Sequence, residues 1–365
     1  MKNFIRVFLT CIMALVCCFG LLACDKSQNE QGETGVQLVK YRGDDFYTVI
    51  GYVDDGETTS LDLNEYNKDG VVIKKIASNA FDGNDTLTEV IVPNTITEMG
   101  EGAFAGMKKL SSLTLPFVGR FANADAFPDQ TGSAEEGEKA VNSERTLGYL
   151  FGKTYFEGGI AVNNSASGSE ASSSTPIYVS THFNKVKIEP KEEYAIPTYA
   201  FFGFKPLQTV ELSDKVVAIG SYAFGSCDVL KKVTFSSALK DIYEGAFSGC
   251  AKLTTIDIPA NSQITKLNDK VFYGTGIKNI TLGANITSIG KQCFANSALR
   301  EITFSVNSVG YGAFADCSSL IKVNSLLTQE VALGNYAFYN CSKLEEVNGT
   351  FQANDSAYVG SGLAD

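Results

Sequence analysis

Tryptophan is absent from this 365-residue chain, and histidine occurs once, as His182. Any serine–histidine, cysteine–histidine or multi-histidine metal site would have to be built on that one imidazole. It stands in YVSTHFNKVKI with no metal-ligand spacing around it, and reads as a surface or strand-edge residue. None of the nine cysteines forms the C-x-x-C pair of a zinc or redox site. Basic residues are also few: 30 Lys and Arg against 41 Asp and Glu, a formal charge of −11. A surface of that sign repels phosphate backbones and anionic lipid, which disfavours nucleic-acid binding and electrostatic adsorption to membranes. LGYLFG (147–152) does not match a phosphate-binding glycine loop, and no motif asks for a metal or cofactor. Beyond residue 24 no apolar run is long enough to span a bilayer.

What the chain has is a repeat. It is 44% hydrophobic, enough for a sizeable core, and its aromatics are lopsided, with 24 Phe and 16 Tyr. One position is being filled by Phe again and again. A two-residue unit, Ala-Phe or its equivalent, places Phe81, Phe104, Phe201, Phe224, Phe247, Phe272, Phe294, Phe314 and Phe338; outside one gap their spacings are 23, 23, 23, 25, 22, 20 and 24. A branched residue, often followed by Gly, precedes each Phe by about five positions, as in Ile219-Gly220 and Val309-Gly310. Leu or Ile follows six after most of them (Leu87, Leu230, Leu344), and Val, Ile or Leu three later again (Val90, Val233, Val347).

The L-x-x-V-x-L segment alternates with period two and reads as a short strand with one buried face. Gly-Cys, Asn-Asp and Asp-Cys pairs before it are turn material. The Ala-Phe segment is too short for a free helix and is expected to be a single helical or 3-10 turn on the opposite side. One unit cannot bury its apolar face alone, so units stack, aligning the strands into one parallel sheet and the Phe rings into an interior column. Ala beside Phe is small because the next coil packs against it.

GSYAFGSCDVLKKVTF (220–235), AFSGCAKLTTIDIP (246–259) and GYGAFADCSSLIKVNS (310–325) resemble the BspA-like, or type-5, leucine-rich repeat over residues 71–116 and 183–349. The resemblance implies an α/β solenoid: a right-handed leucine-rich-repeat array with one short parallel strand per repeat of about 23 residues. It also implies a bacterial surface protein associated with adhesion to host, matrix or neighbouring-cell proteins.

The reading divides the chain into a signal peptide (1–23), a tether (24–35), a β-rich N-terminal cap (36–75) and repeats (76–116). An insertion (117–182), further repeats (183–349) and a C-terminal tail (350–365) follow. In the leader, Lys2 and Arg6 precede a 17-residue apolar run, Val7 to Ala23, closed by Leu21-Leu22-Ala23-Cys24. This resembles the bacterial lipobox and implies lipidation of Cys24, hence attachment to a membrane through an N-terminal lipid and exposure outside the cytoplasm. The polar stretch DKSQNEQGETG (25–35) suits a tether. The insertion carries a Ser-rich loop and an aromatic cluster, Tyr149, Phe151, Tyr155 and Phe156, read either as a recognition patch or as a loop folded back on the array. Cys227, Cys250, Cys317 and Cys341 share one repeat position and read as buried thiols, although stacked neighbours approach disulfide distance.

Outward-facing strand positions supply the candidate ligand contacts: Glu211, Thr234, Asp257, Thr281 and Thr303 just after the buried residue, and Lys232 just before one, with Tyr149 and Tyr155 from the insertion. A protein ligand fits this short, polar, mixed-charge surface. A spacer of the cell envelope without a ligand is the second reading. A hydrolase using Asp257 and Glu211 is the third, and a flat repetitive sheet offers it no pocket.

Overall fold

The computed structural model describes residues 34–122, 143–164, 176–259, 261–354 and 356–363. They build a β-solenoid of about 12 turns of parallel strands with almost no helix. Cys24 and most of the signal and tether lie outside the described residues. Among those described, no helix is long and apolar enough to cross a membrane.

Each coil contributes two strands where one was expected. The first ladder is the L-x-x-V-x-L segment. Ser60–Asp62, Glu89–Ile91, Ser112–Leu115, Lys185–Ile188, Thr209–Leu212 and Lys232–Thr234 pair in parallel, and a second run joins Asn279–Thr281, Glu301–Phe304, Lys322–Ser325 and Glu346–Asn348. The other ladder is made by the branched residue before Gly. It runs through Tyr194–Ile196, Val216–Ile219 and Asp241–Ile242, then through Lys266–Leu267, Ser288–Ile289, Ser308–Val309, Val331–Leu333 and Phe351–Gln352. At the start of the chain its place is taken by Gly35–Val39, antiparallel to Tyr47–Val53, then Ile73–Ile76 and Glu98–Met99. The branched residues pair because stacking at about 4.8 Å brings any extended segment beside its copy in the next coil.

The Ala-Phe side is not the helical or 3-10 turn that its length suggested. Among the described residues the 3-10 helices are Leu63–Tyr66, Ser143–Arg145 and Leu147–Leu150, none of them at an Ala-Phe unit. Around Phe224 the amide hydrogens alternate. Tyr222, Phe224 and Ser226 donate to Glu244, Ala246 and Ser248 of the next coil, while Ala223, Gly225 and Cys227 donate three residues back within their own coil. A 3-10 helix would spend every amide locally and leave none to join the coils. The alternation is set by left-handed residues two before and two after each Phe. Tyr199, Tyr222, Lys270, Gln292 and Tyr336 take the first place, and Ser226, Asn296, Asp316 and Asn340 the second, with φ between 50° and 58°; Gly fills most of the others. A non-glycine residue there costs about 1–2 kcal/mol, so the stacking bonds outweigh that strain coil after coil.

All nine Phe side chains of the Ala-Phe units are buried. Ring centroids are 4.7 Å apart between Phe201 and Phe224, 5.3 Å between Phe224 and Phe247, and 5.8 Å between Phe247 and Phe272, with planes within 12°. These are near-parallel offset stacks, set by the coil spacing. The column continues past Phe338 to Tyr358 at 5.4 Å, where Ala357 accepts from the Phe338 amide. Residues 356–363 thus add another turn segment. At Gly310 and Gly334 the requirement is close approach: a Cβ would stand 2.6 Å from the backbone of the preceding coil.

The stack also closes across the lapse between Phe104 and Phe201. Lys185–Ile188 pairs directly with Ser112–Leu115 on one side and Thr209–Leu212 on the other. Arg120 accepts from the Met99 amide and donates to Glu144, and the segment 147–150 accepts from Phe104 and donates to Ala200. Leu147 and Leu150 are buried there. Residues 117–122 and 143–151 therefore share the stack's backbone bonds. Between 152 and 182, an antiparallel hairpin of Gly159–Val162 and Ile177–Ser180 leaves and returns.

Candidate functional site

The outward face of the first ladder is ruled into rows by its register, exposed or half-buried along most of its length but buried at Thr114. One row reads Ile91, Thr114, Lys187, Glu211, Thr234 and Asp257, and resumes as Thr281, Thr303, Asn324 and Asn348. The row before the buried residue reads Glu89, Ser112, Lys185, Thr209 and Lys232, and resumes as Asn279, Glu301, Lys322 and Glu346. Register brings Glu211, Thr234 and Asp257 side by side, with Lys232 in the adjoining row. Thr281 and Thr303 pair with each other in the second run of strands.

Two lysines that the sequence reading passed over sit inside this surface. Lys185 pairs with Glu211 at 2.9 Å, and Lys187 with Glu189 at 3.0 Å. Their signal was present in FNKVKI, whose alternation fills the place of a degenerate repeat. Toward the other end Lys322 pairs with Glu346 and holds its carboxyl below the usual range. Asn348 donates to Asn324 at 2.9 Å, and Asn324 to Thr303 at 3.4 Å. Ion pairs thus stand at both ends of the surface, and the second run adds a chain of amides and hydroxyls. Nothing here concentrates a general acid and base: Glu211 is committed to Lys185, and Asp257 stands beyond Thr234.

Tyr149 and Tyr155 do not join those rows. Tyr149 is half-buried beside Arg120, which bonds Glu144 at 2.9 Å and Glu98 at 3.2 Å; burial pushes its phenol up. Tyr155 is 66% exposed, its ring edge-on to Tyr178 at 5.5 Å. Phe151 instead packs inward against Phe183 at 5.3 Å and Phe204 at 5.9 Å. His182 is an exposed turn residue whose amide donates to Ser180 Oγ at 3.1 Å.

The described cysteines, Cys227, Cys250, Cys293, Cys317 and Cys341, are free and buried. Four of them donate Sγ–H to a Phe carbonyl of the preceding coil, Cys227 to Phe201 at 3.1 Å, and Cys250, Cys317 and Cys341 to Phe224, Phe294 and Phe314 at 3.0 Å. Burial pushes the thiols of Cys227 and Cys317 up to about 12 and about 11, and the others in the same direction. Thiolate is the reactive form, so at neutral pH these sulfurs are hydrogen-bonding bricks. Among the described residues no group of three or more His, Cys, Asp or Glu could hold a metal ion.

A stack of short parallel strands joined by Phe-centred turns defines the class: a leucine-rich-repeat solenoid. The chain belongs to the BspA-type leucine-rich repeat family, whose profile matches residues 65–132, 176–300 and 265–355 in six copies. Solved structures similar to it include a leucine-rich repeat protein from Bacteroides ovatus, 20% identical over 91% of this chain and 80% of that one, with a TM-score of 0.45. Another is the leucine-rich repeat protein of T. pallidum, 26% identical over 44% of this chain and 78% of that one, TM-score 0.41. A third is a leucine-rich cell-surface protein of Faecalibacterium prausnitzii, 16% identical over 91% and 97%, TM-score 0.31. No curated protein matches.

Proposed function

We propose that this is a surface-exposed, lipid-anchored binding protein of a bacterial envelope, which holds a protein ligand on its first ladder. The observation that carries this reading is the register. It lays mixed-charge and amide rows side by side over coil after coil, and weak contacts over such an area sum to useful affinity. Membership in the family supports a binding role in place of catalysis. Acylation of Cys24 would supply the anchor, residues 25–35 the tether, and residues 36–75 the cap, where Tyr52 meets Phe81 at 6.3 Å. In this reading the array is right-handed.

The test is binding of residues 25–365 to immobilised matrix proteins at physiological salt. Charge reversal at Glu211 and Asp257, each to Lys, is expected to lower affinity at least tenfold with the unfolding transition unchanged. Retained affinity would move the contact to the insertion. Replacing residues 165–175 by a short linker, which spares the Val162–Ile177 pair, tests that site without breaking the stack. Absence of any protein ligand would leave the envelope spacer as the reading.

A further inference from the structure

The turn side of the array carries an aromatic cluster that neither ladder shares. Tyr311, Tyr336 and Tyr339 are 50%, 38% and 37% exposed. Tyr311 meets Tyr336 at 5.7 Å and 75°, and Tyr336 meets Tyr339 at 5.7 Å and 89°. Each edge-on contact covers one face of one ring, so other ring faces are left to solvent. Cations do not cover them: among the described residues the cation–ring contacts fall on Phe46, Tyr47 and Phe121.

Tyr336 is also strained. Its φ is +58°, at the position that the preceding coil fills with Gly312. Two other tyrosines accept the same strain, but for an internal reason. Tyr199 and Tyr222 stack at 5.6 Å and 11°, and Tyr222 donates to Glu244 at 3.0 Å. Tyr336 instead meets its two ring neighbours edge-on.

We propose that Tyr311, Tyr336 and Tyr339 form a binding site for a neutral glycan, separate from the first ladder. The faces of pyranose rings carry weakly positive C–H groups, which suit the negative face of an aromatic ring. Tyrosine supplies rigid contact area and a hydroxyl with few torsions to freeze. The rim carries one carboxylate: the amide of exposed Asp316 donates to the Tyr339 carbonyl at 2.7 Å, and its Oδ1 accepts from Asn340 Nδ2 at 2.9 Å. Asn335 and Asn354 are exposed, with Asn354 Nδ2 donating to Asn335 Oδ1 at 2.6 Å. Carboxylate and amide groups at the rim are the hydrogen-bonding types that sugar hydroxyls require. Anionic polymers are disfavoured by the chain's charge of −11.

The test is native affinity electrophoresis of the full chain through gels containing mixed-linkage β-glucan, galactomannan or dextran. At least one polysaccharide is expected to retard the chain, and Tyr336→Asn with Tyr339→Ser is expected to weaken that retardation at least tenfold. Tyr336→Asn alone is expected to leave the thermal midpoint unchanged or raise it by about 2 °C, because Asn tolerates the left-handed conformation. Glu211→Lys should retain full retardation, and matrix-protein binding by the first ladder should survive the tyrosine changes. No retardation in any gel, retardation unaffected by the double change, its loss in Glu211→Lys, or its displacement by tetramethylammonium would each overturn the site.

Discussion

At the scale of single residues, one aromatic per coil carries most of the cohesion, and one thiol or amide beside it ties the coil to its neighbour. Phe247 is stacked on both sides, by Phe224 and Phe272. Phe247→Ala is expected to cost about 3–5 kcal/mol, read from urea unfolding. A cost below about 1 kcal/mol would mean that the column is not the core.

The cysteines make a pH prediction. Their ordinary value is 9.0, while the folded Cys317 and Cys227 sit at about 11 and about 12. Between those limits the unfolded chain releases protons that the fold retains. Stability from each thiol is therefore intact below pH 9.0 and falls by about 1.4 kcal/mol per pH unit above it. Urea midpoints measured from pH 8 to 10.5 should fall, and fall less in Cys227→Ala. A thiol reagent at pH 7 should find the five described cysteines only after denaturation. Rapid labelling of the native protein would show that the coils open.

At the scale of the element, the turn segment departs most from its sequence signature. Ala-Phe preceded by a branched residue and Gly predicted that a tight element would cross there, and it does. What could not be read was the alternation of amides, since the partner of Phe224 is Ala246 in the next coil. Tyr, Lys and Gln at left-handed positions gave no warning, because their propensities favour φ below zero. Gly310 was legible as a repeat position, but its reason lies in the Gly290 backbone beside it. Gly310→Ala is expected to destabilise by about 1–3 kcal/mol through overpacking. A neutral result in thermal unfolding would show that the coils can part. In the irregular coil, the buried Tyr194 hydroxyl accepts from the Val118 amide at 2.9 Å. Tyr194→Phe would orphan that amide, at about 1–3 kcal/mol.

At the scale of the whole molecule, both ladders pause in the same region. Among the described residues the first is bridged there by Thr234 and Asp257, and the second by the Gln263 amide to Leu239 at 3.0 Å and Asn268 Nδ2 to Ile242 at 2.7 Å. The Phe column and the turn bonds run straight through it. Solenoids respond to such a weak interface locally, since each coil contacts only its neighbours. Amides of residues 254–258 should exchange faster than those of Glu301–Phe304 in hydrogen-exchange mass spectrometry. Equal protection would mean that the array opens only as one unit.

The repeat, its buried Phe and the polarity of its strand faces were determined by the sequence alone, because a period of about 23 residues with fixed apolar positions has one economical solution, a stack. The second ladder, the left-handed turn residues, and the place of Lys185 between Ser112 and Thr209 were decided only by tertiary structure. Each depends on which segment lies one coil away, and that neighbour is distant in sequence by a coil or, across the lapse, by several.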